Sequence, residues 1–73
     1  MTQVDRLREY MLEWGPITPY EAFEQLGITK LSTRIGEMIR AGENIKKETV
    51  YDRNRYGEPV HYCRYTLLEK ENN

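Results

Sequence analysis

Residues 17–42 read ITPYEAFEQLGITKLSTRIGEMIRAG. Thr18, Pro19 and Glu21 predict the start of a helix, because threonine can cap it, proline suits its first position and glutamate its third. Gly27 predicts its end, since glycine accepts the left-handed conformation found there. A second helix follows, with apolar residues at the i, i+4, i+7 and i+8 spacing of one buried face. They are Leu31, Ile35, Met38 and Ile39.

The later of these two helices, which is the third of the chain, carries polar residues on the side opposite its apolar face. We expect Thr29 or Ser32 to cap it and Gly42 to end it. The positions predicted to point outward are Lys30, Ser32, Thr33, Arg34, Glu37 and Arg40. Two helices joined by a tight turn, the second longer and polar on its outer side, describe a helix-turn-helix.

An earlier helix precedes this motif and is predicted over residues 4–14. Thr2 can cap it, and Gly15 with Pro16 stops it, because proline cannot continue the hydrogen-bond ladder. Trp14 is predicted to anchor the core. The apolar residues of this helix recur at helical spacing and should also face the core. They are Val4, Leu7, Met11 and Leu12.

Beyond Asn44 the apolar period changes from helical to alternating, which predicts a β-hairpin. The strands are expected over residues 45–51 and 60–67, with Asn54 and Gly57 in the turn between them. One face of the second strand is predicted to pack on the helices, namely His61, Cys63, Tyr65 and Leu67. Three helices followed by a two-stranded wing make a mainly α domain, a winged helix-turn-helix.

We predict a single winged-helix domain over residues 1–68, followed by a polar tail over 69–73 that frays. A chain of 73 residues has little apolar surface to spare, so nearly every apolar residue must pack. The core is expected to combine residues of all three helices and the second strand. They are Leu7, Met11, Phe23, Leu26, Leu31, Ile35, Ile39 and Leu67.

The composition excludes several classes of protein. With one histidine, one cysteine and no carboxylate–histidine cluster, we expect no catalytic residue, no metal site and no cofactor. Cys63 cannot form an internal disulfide, which fits a reducing compartment. Neither a secretory signal nor an apolar run long enough for a bilayer occurs, so we expect a cytoplasmic protein without membrane contact.

The charges are unevenly distributed, although the net charge is only −1. Residues 1–29 carry a net charge of −3, and residues 30–66 carry a net charge of +3. This separation favours one surface for an anionic partner. The alternative is a solvated surface on which charges of both signs are merely interspersed.

Six short motifs follow one another between residues 15 and 67. They are Ile17-Thr18-Pro19-x-Glu21-Ala22, Leu26-Gly27-Ile28, Leu31-Ser32-x-Arg34-Ile35, Gly42-x-x-Ile45, Arg55-Tyr56-Gly57 and Arg64-Tyr65-x-Leu67. In order and spacing they resemble a family of small helix-turn-helix proteins from phages and prophages. The resemblance implies a winged-helix fold and DNA binding within a phage or prophage gene cluster.

One position departs from the commonest helix-turn-helix pattern. That pattern has a small alanine four residues before the turn glycine, where the two helices touch. Here Phe23 stands four residues before Gly27, and Ala22 stands five before it. We therefore expect a wider spacing or an altered crossing of the second and third helices.

Two groups of residues are candidates for contact with DNA. On the third helix they are Lys30, Ser32, Thr33, Arg34 and Arg40. Arg34 is expected at the middle of the exposed face, where its guanidinium would read guanine. On the hairpin they are Arg53, Asn54 and Arg55, on the DNA backbone or in the minor groove. The alternatives are an ordinary solvated helix face and a turn selected for its geometry, in which Tyr56 packs across the hairpin.

Two classes of function follow from these patterns. The first is a small protein that binds double-stranded DNA as a transcriptional regulator or recombination accessory factor, acting as a homodimer or as adjacent copies. The second is a winged-helix module that binds a host or phage protein, such as a phage-encoded inhibitor of a host defence or host enzyme.

Overall fold

The computed structural model describes residues 1–68. Its elements are α1 (Gln3–Glu13), α2 (Pro19–Leu26), α3 (Leu31–Arg40), β1 (Ile45–Arg53) and β2 (Pro59–Leu67). The predicted order of three helices followed by a hairpin is confirmed. The two strands pair antiparallel, with Ile45 opposite Leu67 and Arg53 opposite Pro59. The predicted frayed tail over 69–73 lies outside the described residues.

Capping boxes begin both α1 and α2, which confirms the predicted caps at Thr2 and Thr18. The Thr2 hydroxyl accepts a hydrogen bond from the Asp5 backbone N–H at 3.1 Å, and the Asp5 carboxylate accepts one from the Thr2 N–H at 3.1 Å. These bonds to Thr2 hold the pKa of the Asp5 carboxyl below its ordinary value. Thr18 and Glu21 repeat the arrangement at 3.3 and 3.1 Å. Both helix starts thus depend on residues only three apart in the chain.

The start of α3 differs from the prediction. Lys30 is its N-cap, and no side chain accepts a hydrogen bond from its first turn. The expected cap by Thr29 or Ser32 is therefore wrong. Because α3 begins at Leu31, Ser32 already lies inside its first turn and Thr29 lies one residue before the cap.

The turn between α2 and α3 is closed by backbone hydrogen bonds. Gly27 has a φ of +69°, the Ile28 N–H donates to the Ala22 carbonyl at 3.0 Å, and the Gly27 N–H donates to the Phe23 carbonyl at 3.0 Å. Ala22 is fully buried, whereas Phe23 is 60% exposed. The expected wider spacing or altered crossing of α2 and α3 stays a prediction. Phe23 itself is not a core residue, so its predicted burial is wrong. It lies about 100° around α2 from Ala22, and half-buried Leu26 shares the inner side instead.

One hydrophobic cluster joins all the elements. It consists of Leu7, Met11, Ile17, Ala22, Ile28, Leu31, Ile35, Met38 and Tyr65, with Leu26 and Leu67 packed against it as half-buried residues. Of the predicted core residues, Ile39 is 51% exposed, because Met38 takes the inward position and Ile39 lies about 100° away. Leu12 is exposed for the same reason beside buried Met11.

Trp14 is 72% exposed, so the prediction that it anchors the core is wrong. It caps the C-terminal end of α1, and Gly15 follows with a φ of +97°. The chain turns back toward the core at this glycine, and the next fully buried side chain is Ile17. The indole is therefore left outside.

A single residue extends the sheet beyond the hairpin. The backbone of Ile17 exchanges two hydrogen bonds of 2.9 Å with Tyr65 on β2, so the connection between α1 and α2 lies along that strand. Cys63 and Leu67 pack against the cluster on the predicted face. His61 does not, and its predicted burial is wrong, because every residue from 51 to 61 extends beyond the helices into solvent.

An ion pair fastens the loop after α3 to α1. Arg8 donates through Nε to Oε1 of Glu43 at 2.7 Å and through Nη2 to Oε2 at 2.8 Å. The Glu43 side chain is only 17% exposed. This bidentate contact holds the end of α3 against the first helix. None of the helices in the described part of the chain has the length and apolar character needed to span a bilayer.

Candidate nucleic-acid interface

The outer side of α3 lies opposite its three buried residues. Successive residues turn by about 100°, which places Thr33, Gly36 and Arg40 on this outer side. Ser32, Thr33 and Arg40 are exposed, as is Lys30 at the N-cap. The fold therefore presents to solvent four of the five α3 residues predicted to contact DNA. The contact itself stays a prediction.

Arg34 occupies a different place from the one expected. Its side chain is 29% exposed, its Nη1 lies 2.8 Å from Oε1 of Glu37, and its Nε is buried without a hydrogen-bond partner. It lies at the flank of α3 rather than at the middle of the exposed face, because it is only about 60° around the helix from buried Leu31. The Arg34 guanidinium could contact a base only if its ion pair with Glu37 were broken.

The hairpin tip is organised by Asn54. Its Oδ1 accepts hydrogen bonds from the backbone N–H groups of Tyr56 at 2.9 Å and Glu58 at 3.1 Å. Gly57, with a φ of +75°, accepts a 2.7 Å hydrogen bond at its carbonyl from Nη1 of Arg53. Asn54 and Arg53 thus shape the turn.

Tyr56 and Arg55 extend from this turn. Tyr56 is 79% exposed, so the prediction that it packs across the hairpin is wrong. The turn is closed by the amide of Asn54 and does not need the ring. Arg55 is exposed and has no ion pair with any residue in the range 1–68, which leaves its charge available to an anion.

A cleft of about 200 Å³ lies between α3 and the base of the hairpin. It is lined by Ser32, Ile35, Gly36, Ile39, Ile45, Lys47 and Tyr65. Lys47 is exposed and brings a positive charge from β1 to the side of α3. Lys47 is not among the residues that the sequence analysis predicts to contact DNA. The alternation of β1 held the signal, because Lys47 shares a strand face with Ile45, which packs against the core.

The opposite face of the hairpin carries charges of both signs. Glu48 lies across from Arg64, whose Nε donates to its Oε1 at 2.9 Å. This hydrogen bond lowers the pKa of the Glu48 carboxyl, so its charge is compensated at neutral pH. Lys46 shares the face of Glu48, whereas the adjacent Lys47 shares the face that meets α3.

The structure thus places most of the predicted α3 residues on a common side, and it places the predicted hairpin residues away from them. Basic and hydroxyl groups of α3 lie beside the Lys47 cleft, and Arg53 and Arg55 lie at the far end of the same hairpin. Arg34 and Asn54 are engaged within the chain. Among residues 1–68, no group of three or more His, Cys, Asp and Glu side chains could hold a metal ion.

Comparison with known families agrees with this geometry. A family model described as a winged helix-turn-helix domain matches residues 2–70. The chain belongs to the winged helix-turn-helix family. The predicted family and fold are thereby confirmed, whereas its origin in a phage stays a prediction. No curated protein and no solved structure matches this winged helix-turn-helix domain.

Proposed function

We propose that this protein binds double-stranded DNA, with α3 in the major groove and the hairpin on the backbone or in the minor groove. One observation carries the proposal: Lys47 of the hairpin lines the cleft beside the exposed outer side of α3. Helix and wing therefore offer hydrogen-bond donors and positive charge to one anionic surface. Phosphate contacts supply most of the affinity of such domains, and base contacts supply the specificity.

The exposed residues suit different parts of a duplex. Ser32 and Thr33 donate from the first turn of α3, the part of a recognition helix that meets base edges. Arg40 on the outer side can form the paired hydrogen bonds that guanine accepts. Arg55 at the hairpin tip suits a phosphate or a narrow minor groove.

We propose that the protein acts as a transcriptional regulator or a recombination accessory factor in the cytoplasm. Single DNA-binding modules bury only about 600–1,000 Å² of protein surface. A domain of 73 residues would therefore act as a dimer or as adjacent copies to reach useful affinity.

A second candidate function rests on exposed apolar residues in the first two helices and the turn between them. Leu12, Trp14 and Phe23 are large apolar side chains exposed on α1 and α2. Exposed apolar groups within an acidic segment favour a protein partner over nucleic acid. On this alternative the domain is a protein-interaction module, for example an inhibitor of a host defence or host enzyme.

Selection from a random duplex pool distinguishes the two functions. We expect the parent to enrich a preferred site. In titrations at two salt concentrations, joint Arg53→Ala and Arg55→Ala replacement should weaken binding to selected and scrambled duplexes alike. A parent that binds no duplex at low salt would overturn the DNA-binding proposal and leave the protein-partner function.

The same titrations test which arginine reads bases. Arg40→Ala should cost about 1–3 kcal/mol on the selected site and relax discrimination at one base pair. Arg34→Ala should do the same only if Arg34 leaves Glu37 in the complex. If both variants still discriminated fully between selected and scrambled duplexes, neither arginine would read bases. The proposal that the protein binds DNA would not be affected.

A further inference from the structure

A groove runs along α1 and shares no lining residue with the cleft beside α3. We call it the α1 groove; it has a volume of about 250 Å³ and is lined by Met1, Arg6, Glu9, Tyr10, Glu13, Trp14 and Leu26. Trp14 lies at one end with 72% of its surface exposed. A side chain of this size left in water is a source of binding free energy, because burying it against another surface removes apolar area from solvent.

The charged side chains of this groove are Arg6 toward its N-terminal end, Glu13 toward its C-terminal end and Glu9 between them at one edge. Arg6 and Glu13 lie seven residues apart, about 10 Å along the helix axis, and on the same side of α1. Tyr10 lies between them, half-buried and donating from its hydroxyl to Glu21 at 3.5 Å. Neither Arg6 nor Glu13 forms an ion pair within residues 1–68, although Arg8 on another side of the helix forms two.

We propose that the α1 groove binds the α1 groove of a second copy, with the two α1 helices antiparallel about a two-fold axis near Tyr10. In that arrangement Arg6 of each copy faces Glu13 of the other, so the same ion pair forms twice. Trp14 of each copy then lies over the N-terminal half of the opposite helix. A two-fold contact requires a self-complementary surface, and a helix face with Arg6 and Glu13 at equal distances from its centre meets that requirement.

The charge pattern favours a second copy because Arg6 and Glu13 of two antiparallel copies pair twice, whereas Glu9 of each copy repels its counterpart near the axis and keeps the contact weak. An unrelated acidic or basic surface would pair with one end of the groove and be repelled by the other. The helix pair is short, since α1 has 11 residues, so the contact belongs to the small, weak class of interfaces. The inference stands on α1 alone and does not depend on DNA binding.

Sedimentation equilibrium of the full chain without DNA tests this dimer. The parent should pass from monomer to dimer as its concentration rises to about 1 mM, a limit set by the weakness of small interfaces. Arg6→Glu alone and Glu13→Arg alone should each weaken the dimer by about tenfold or more, because each places like charges together at both symmetric pairs. The double variant with both changes restores opposite charges and should return close to the parent dissociation constant.

Glu24→Arg is the matched control, since it makes the same charge change as Glu13→Arg on an exposed α2 residue outside the groove. It should leave the dissociation constant unchanged. Thermal melts would show that every variant folds. A parent that stays monomeric at the highest concentration would overturn the proposal, as would a double variant no tighter than the single ones. Loss of DNA binding in a chain that still dimerises would count only against the proposed function.

Discussion

At the scale of single residues, Ile35 and Ile39 show how sharply burial divides one helix. They lie one turn apart on α3, yet Ile35 is buried and Ile39 is half in water. Both satisfy the same apolar spacing in the sequence. The core admits the first because it lies between Leu31 and Met38 on the inner side, and it leaves the second at the cleft beside the hairpin.

Alanine replacement should separate this pair. Ile35→Ala should lower the free energy of unfolding by about 2–5 kcal/mol, because a close-packed core cannot collapse around the missing atoms. Ile39→Ala should cost less than about 1 kcal/mol, since about half of this residue is already exposed to water. Urea denaturation of both variants provides the measurement. Equal losses of unfolding free energy in the two variants would contradict the placement of Ile35 on the buried side of α3 and of Ile39 on its exposed side.

Gly36 is the only glycine inside a helix among the described residues, and it lies on the outer side of α3. A Cβ added there would meet only Nη1 of Arg40, at an ordinary 3.6 Å. Gly36→Ala should therefore raise the stability by about 0.5–1 kcal/mol through the better helix propensity of alanine. If the backbone of α3 lies against DNA, the same change should weaken DNA binding. Thermal melts and duplex titrations measure the two effects, and a variant less stable than the parent would contradict the expected propensity gain.

At the scale of elements, the strand period of β1 sends neighbouring lysines to different surfaces. Lys47 faces α3, whereas Lys46 lies on the side of the Glu48–Arg64 pair. Both are exposed and carry the same charge, so any difference between them reports position rather than net charge.

Lys47→Ala should weaken binding to every duplex and lower the salt slope by about one, as expected for a phosphate contact. Lys46→Ala is the control and should change binding little. The measurement is a titration of both variants at several salt concentrations. If the two variants lost affinity equally, the cleft between α3 and the hairpin would not be part of the DNA surface.

At the scale of the whole molecule, the ion pair between Arg8 and Glu43 joins parts of the chain 35 residues apart. It connects α1 to the loop that leads from α3 into the hairpin. The hairpin and α3 are thus held in a fixed position relative to α1 by a contact between residues far apart in the chain. The Arg64–Glu48 pair, by contrast, is local to the hairpin and more exposed.

Double-mutant cycles with alanine should show the difference between these two pairs. The bidentate, partly buried Arg8–Glu43 pair should have a coupling free energy of about 1–2 kcal/mol. The single contact of Arg64 with Glu48 should have a clearly smaller coupling free energy, because solvent screens it. Denaturation of the single and double variants gives both values. A larger coupling for the hairpin pair would show that Glu43 contributes less than its geometry indicates.

Local chemistry determined much of this protein from the sequence by itself. The capping boxes at Thr2 and Thr18, the turn at Gly27 and the change of period after Asn44 each depend on residues close together in the chain. Their hydrogen bonds and backbone preferences act before any tertiary contact forms. For that reason the order of three helices and a hairpin could be predicted from the sequence. The exposure of the basic and hydroxyl residues of α3 other than Arg34 could also be predicted.

Only the tertiary structure decided which apolar side chains enter the core and where the charges meet. Phe23, Ile39 and Trp14 are apolar enough for a core, yet all three are exposed. A domain this small buries only a narrow stripe of each helix. The place of a residue within that stripe depends on the rotation of every helix against the others. The same joint packing brings Lys47 beside α3, because neither the tilt of a helix nor the path of a hairpin is set by neighbours in sequence.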